Sequence, residues 1–346
     1  MKFCTHMTFL SRPLRARPKV TELFSAMGTR MRKFLFPQEP DYWLTSLRVG
    51  LSLVVLLYAI SSRHDWMALY SIGRRSIVGR DLAEAVLAAD SPLIPQLGWL
   101  VHAGGLTGMN ESTVLACAWV ALLCAALFLL FGLFCRSAAI TTWFLHLCAV
   151  KSGIFFSYGV DNFISIGLFY LMIGPLPDRF SLDCWIFLPP GKDPRLHGFF
   201  QRVLQLHLCL IYFFGGLTKC IGWGWWNGAS LWRALTRPPF DAVPPEMLLA
   251  GRHLLPLLGV SVCVIEVTYP IFIYWRKTRL VWVLLVCAMH VMIGLTMRLH
   301  LFALIMIVLN LAAFASVWFS RIFSRRSWEN HPSAPAEGGD ATVESG

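Results

Sequence analysis

The run LQLHLCLIYFFGGLTKCIGWGWWNGASLWRAL, residues 204–235, decides the fold. It is apolar from Leu206 to Leu217, and then carries a cation, Lys219, followed closely by Trp223, Trp225 and Trp226. An ammonium in hydrocarbon costs about 2.5–3.5 kcal/mol on insertion scales, so this lysine either snorkels to an interface or stands in an internal polar cavity. Indole rings concentrate at headgroup level, which puts this end of the run at a membrane surface. Further on, Leu231, Trp232 and Leu235 share one side of a helix over Asn227 to Leu235, the pattern of an amphipathic helix lying along the interface.

Composition agrees. Of 346 residues, 56% are hydrophobic and 14% charged, with mean hydropathy +0.60, whereas a soluble domain carries about 25% charged residues. The chain reads as an all-α integral membrane protein whose partner is the lipid bilayer. A net charge of +11 would suit nucleic acid in a soluble protein. Here the Lys and Arg residues fall at the ends of apolar runs, where they orient the chain against anionic lipid, and nucleic acid is set aside. The ten cysteines form no dense extramembrane framework and no C-x-x-C, and most lie inside apolar runs as small filler. Cys220, beside Lys219, stays open.

About 20 apolar residues cross a bilayer. On that rule eight spans are expected: Trp43 to Ile60, Ser112 to Phe134, Ser137 to Phe156, Asn162 to Leu176, Phe199 to Leu217, Leu254 to Trp275, Leu280 to Met297 and Leu299 to Phe319. The third is interrupted by Lys151-Ser152-Gly153 and the fourth is short, so this pair is expected to be broken or re-entrant and to line a cavity. Flanking it are a basic cytoplasmic tail, 1–39, with eight Lys or Arg and one acid over its first 35 residues, and a Pro-, Ala-, Gly- and Ser-rich tail, 321–346, expected to be disordered and cytoplasmic. The distribution of Lys and Arg puts both termini inside and Lys219 near the outer leaflet.

With these features in place, three segments in order carry a resemblance: FFSYGVDNFISIGLFYLMIGPLPDRFSLD (155–183), the run at 204–235, and VIEVTYPIFIYWRKTRLVWVLLVCAMHVMIGLTM (264–297). Over residues 40–320 the chain resembles the HTTM family, a transmembrane domain shared by vitamin K-dependent gamma-carboxylase and many shorter bacterial membrane proteins. The resemblance implies a bacterial plasma (inner) membrane location. It also implies that Lys219, closing Gly216-Leu217-Thr218-Lys219, matches the base that acts on a reduced quinone of the vitamin K type. Asp161 and Asn162 stand where the carboxylase has a histidine, and His290 matches a histidine of the penultimate span. The carboxylase's large propeptide-gripping soluble domain has no counterpart in this chain, which puts glutamate carboxylation in doubt.

The residues themselves are compatible with that chemistry. Desolvation lowers an amine's pKa and gives a neutral base, and Tyr212, Phe213, Phe214 and Trp223 offer flat surfaces on which a quinol stacks. The plain alternative is a lysine that favours its helix C-terminus and exits to water. His207, His290 and Glu266 lie within apolar runs and need partners across helices. Lys151 and Asp161 bracket the outer connection of the third and fourth spans and can face Lys219 across a cavity, or Asp161 can cap the helix that begins at Asn162. Arg48 and Arg298 read as lipid or helix-end contacts. The histidines lack ligand spacing, so no metal is expected. Two function classes remain: a carboxylase-like lyase or oxidoreductase, and a non-catalytic accessory protein for maturation or export of a secreted peptide.

Overall fold

The computed structural model describes residues 20–73, 76–91, 93–189 and 192–315, and among them there are helices and no strands. An entry helix, α1 (Val20–Leu35), precedes α2 (Tyr42–Ser61). Three short helices follow, α3 (Trp66–Tyr70), α4 (Arg80–Asp90) and α5 (Leu97–Leu106). Then come α6 (Glu111–Phe131), α7 (Cys135–Ser152), α8 (Gly159–Ile173), the short α9 (Leu182–Phe187) and the long α10 (Pro194–Ile221). The chain continues through α11 (Trp223–Trp226), α12 (Ala229–Thr236), α13 (Pro245–Ala250), α14 (Leu254–Phe272), α15 (Arg279–Met297) and α16 (His300–Phe314).

Five of these, α2, α6, α10, α14 and α15, are long and apolar enough to cross a membrane. Each of the other three expected spans also falls on a helix, namely α7, α8 and α16, the last two only 15 residues long. At 1.5 Å per residue, 15 residues rise about 22 Å, short of a hydrocarbon core of about 30 Å. The interruption expected at Lys151 to Gly153 falls at the end of α7, which is a continuous helix to Ser152. Residues 1–19, 316–319 and the 321–346 tail lie outside the described residues. The first tail nonetheless contains an element the sequence reading did not expect, α1.

Contacts fix how the helices run. Arg48, early in α2, reaches the carbonyls of Leu129 and Leu130 at the end of α6, while Trp119 near the start of α6 donates to Ala59 O near the end of α2. These two helices are therefore antiparallel. In the same way Lys219 meets Glu266 and Tyr212 packs on Tyr269 between α10 and α14, and Gln201 and Gln205 donate to Ala313 O of α16. Lipid is as apolar as leucine, so membrane helices associate through close packing of small residues and through polar contacts. Gly50 of α2 shows why a small residue is needed: a Cβ there would lie 2.5 Å from Val308 Cγ1 of α16.

Arg48 departs from the expected lipid contact. Its side chain is 1% exposed and its Nε lies 2.5 Å from Asp178 Oδ2, with further bonds to the carbonyls of Leu129, Leu130 and Phe180. A guanidinium at this depth must be paired, and the partner comes from the α8–α9 connection, 130 residues away in sequence. Arg298, by contrast, ends α15 in the left-handed conformation, at φ 56°. At the end of the bundle opposite Arg48, α3, α4 and α5 fold over the helices, where Glu84 accepts from Arg80, Gly98 N and Ser152 Oγ.

Candidate functional site

α10 builds the site through spacing. Its buried residues, Gln201, Leu204, Gln205, Leu208, Cys209, Tyr212 and Gly216, recur every three or four positions and form one face. Lys219 continues that face by three residues. Across from it, Cys263, Glu266 and Tyr269 form the buried face of α14. Gly216 sets the separation: a Cβ there would fall 2.7 Å from Glu266 Cβ and from Val267 N. The two backbones approach closely at this point, and the side chains on either side of it meet.

The meeting produces an ion pair. Lys219 Nζ lies 2.5 Å from Glu266 Oε2 and 3.4 Å from Gly215 O, and the Trp225 ring covers the ammonium at 5.5 Å from its centroid. The glutamate side chain is 9% exposed and the lysine 26%, so the pair is anchored inside and open on the lysine side. Cys220 is in hydrogen-bonding contact with Cys263 beside it. The partner of Lys219 is the site residue that the sequence reading left unpaired. A carboxylate within an apolar span was the available signal, but pairing it required the register of α10 against α14.

Toward the middle of the bundle the same seam holds a second polar group. Tyr269 Oη donates to Asn310 Oδ1 at 2.7 Å, and Asn310 Nδ2 donates to Tyr212 Oη at 2.8 Å and to Met306 O at 2.8 Å. Tyr212 Oη lies 2.8 Å from His290 Nε2. Since the tyrosine already accepts from Asn310, its own proton goes to His290 Nε2, which assigns the imidazole proton to Nδ1. That nitrogen is buried and has no partner among the described residues. His207 likewise bonds across helices, to Tyr170 Oη at 2.9 Å.

The remaining expected residues are spread over other faces. Asp161 is buried at the start of α8, where Oδ2 accepts from Tyr158 N at 2.9 Å, so it caps its own helix. It lines a cavity of about 240 Å³ with Tyr58, Tyr70, Tyr158 and Ser157, near the turn that follows Lys151. Burial pushes the Tyr70 hydroxyl up to about 12, which keeps it protonated beside Tyr58 Oη at 3.1 Å. Asn162 is exposed. Asp161 and Lys219 lie at the same end of the bundle, but on different helix pairs. Phe302, 5.7 Å from His290 and 5.9 Å from Phe163 between ring centroids, stands between the α8 start and the α10 seam. Among the proposed stacking residues, Tyr212 faces inward, whereas Phe214 and Trp223 are 57% and 75% exposed toward the outside, with Phe213 against Phe214 at 5.4 Å. The helix thus separates Tyr212 from the outer aromatics. Among the described residues no three His, Cys, Asp or Glu side chains gather as a metal set.

A long helical bundle with apolar outer faces and ionisable residues paired inside is that of a multi-pass integral membrane protein. A model of the HTTM domain matches residues 105–318, and the chain belongs to that family. Comparison with curated proteins and with solved structures gave no match.

Proposed function

We propose that the chain is a membrane enzyme related in its chemistry to the transmembrane part of vitamin K-dependent gamma-carboxylase, with Lys219 and Glu266 acting as one proton-accepting unit. The observation that carries this reading is the 2.5 Å contact between Lys219 Nζ and Glu266 Oε2, buried on the carboxylate side and open on the amine side. A reduced quinone or similar lipid-soluble reductant would supply an acidic hydroxyl and a pair of electrons. Glu266 Oε2 takes up the proton, and Lys219, as ammonium, stands against the negative charge left behind. Were the pair instead neutral, with the proton already on Glu266, Lys219 Nζ would accept directly. Both routes end with a protonated carboxyl and an ammonium, so the base assigned to Lys219 belongs to the pair.

The exposed Phe214 and Trp223 support this as an outer, bilayer-facing contact surface, with Phe213 beside them. Tyr212 and His290 stand behind the pair, and His290 Nδ1 is a spare donor. In the same reading the bundle has eight spans over 40–320, both termini are cytoplasmic, and the membrane is the bacterial inner membrane. Asp161 and Asn162 occupy the approach on the far side of Phe302. The test is to reconstitute the protein with a reduced naphthoquinone, oxygen and carbon dioxide and assay the epoxide. Wild type should form it and Lys219→Ala should lose about 10²–10⁴-fold, the range of a general base. Absence of epoxide from wild type contradicts the proposal.

One observation favours the accessory reading: Lys219 is already satisfied by Glu266, and Asp161 by its own helix. In that case the pair only holds α10 to α14, and the protein assists maturation or export of a secreted peptide. Deleting the gene and comparing secreted peptides by mass spectrometry decides it, since fully matured peptides in the deletion strain exclude the role.

A further inference from the structure

At the end of the bundle opposite Lys219, α1 presents a surface that the ion-pair site does not use. Met27, Met31 and Phe34 recur at helical spacing and are 57%, 60% and 43% exposed, so among the described residues this apolar stripe is largely uncovered. Arg30, Arg32 and Lys33 flank it. The helix is nevertheless fixed in place. Arg202 of α10 donates to Phe34 O at 3.0 Å and stacks over the Phe34 ring at 4.5 Å, Phe34 lies 6.0 Å from Tyr274, and Phe36 stacks on Phe199 at 4.9 Å. These contacts hold α1 at the level where α10 begins and α14 ends, and exposed Ile271 and Trp275 continue the apolar surface there.

Between α1 and the start of α10 lies a cavity of about 470 Å³ lined by Arg32, Lys33, Phe36, Gln38 and Arg195, among others. Its lining holds three cations and no carboxylate. None of the ion pairs among the described residues involves these three. Two acids border the cavity: Asp193 accepts from Arg195 N with Oδ1 and caps α10, and Glu39, next to Gln38, donates its backbone N–H to Pro194 O at 3.3 Å. Three cations that join no ion pair among the described residues, beside the exposed Met27, Met31 and Phe34, form the two halves of a phospholipid site: acyl chains against the stripe, phosphate in the basic cavity.

We infer that α1 lies in the membrane interface and clamps an anionic phospholipid, its phosphate held by Arg32, Lys33 and Arg195. The experiment uses the full chain, delipidated in detergent and titrated with phosphatidylglycerol or phosphatidylcholine while retained lipid is counted by native mass spectrometry. Wild type should retain phosphatidylglycerol at least fivefold better than phosphatidylcholine, and R32Q/K33Q/R195Q should erase that preference. Met31→Gln, which leaves the cations intact and adds no charge, should weaken retention of both lipids. All four positions are exposed, and an unchanged unfolding midpoint without added lipid shows that the variants fold; Arg195→Gln alone should move retention in the same direction. Equal retention of the two lipids by wild type, an unchanged preference in the triple variant, or displacement of the lipid by equimolar inorganic phosphate would overturn the assignment.

Discussion

An ammonium and a carboxylate survive in an apolar setting only when each supplies the other's counter-charge, and Lys219 and Glu266 do so at 2.5 Å. Removing one leaves the other stranded. Because Lys219 is a quarter exposed, the expected loss for Glu266→Gln is about 2 kcal/mol, below the 3–5 kcal/mol of a fully buried pair. The double change K219M/E266L should regain at least half of it in thermal unfolding. A double variant as unstable as the sum of the singles would show that the pair does not interact. For Arg48 and Asp178, at 1% and 0% exposure, Asp178→Ala should cost about 3–5 kcal/mol in the same assay. Lys219 was legible because a lone charge in a run of apolar residues needs a reason. Glu266 as its partner was not, because side-chain pairing depends on the relative register of two helices that no local pattern encodes. Arg48 was misjudged for the same reason, its partner being 130 residues away.

Among the elements, the α10–α14 seam depends on Gly216, whose place admits no side chain. Gly216→Val should force these helices apart, costing about 1–3 kcal/mol as overpacking does, and should lengthen the Lys219–Glu266 contact. Leu217→Ala, at an exposed neighbouring position, should leave the unfolding midpoint nearly unchanged. If both variants melt alike, the seam is not the tight contact described. The apolar runs could be read from hydropathy alone, and each coincides with a helix. A helix was also legible from the spacing over Asn227 to Leu235: it forms as α12 (Ala229–Thr236) with none of its residues buried. α1 escaped notice because basic residues interrupt its stripe, so that its apolar character exists only around the helix and not along the sequence.

For the whole molecule, antiparallel contacts from α2 to α16 place the Arg276–Lys277 turn and the Asp241 loop at opposite ends. With the basic turn inside, cysteine introduced at Lys277 should react with a membrane-impermeant maleimide only after the cell is opened, and cysteine at Asp241 in intact cells. Labelling of both from one side contradicts the arrangement. The site as a unit is the central claim, and a double-mutant cycle on turnover tests it most directly. In liposomes supplied with a reduced naphthoquinone, Lys219→Ala, Glu266→Ala and the double variant should each lose epoxide formation to the same extent, since groups that act together are not additive when removed. Losses that multiply in the double variant, or a Glu266→Ala variant as active as wild type, would contradict it.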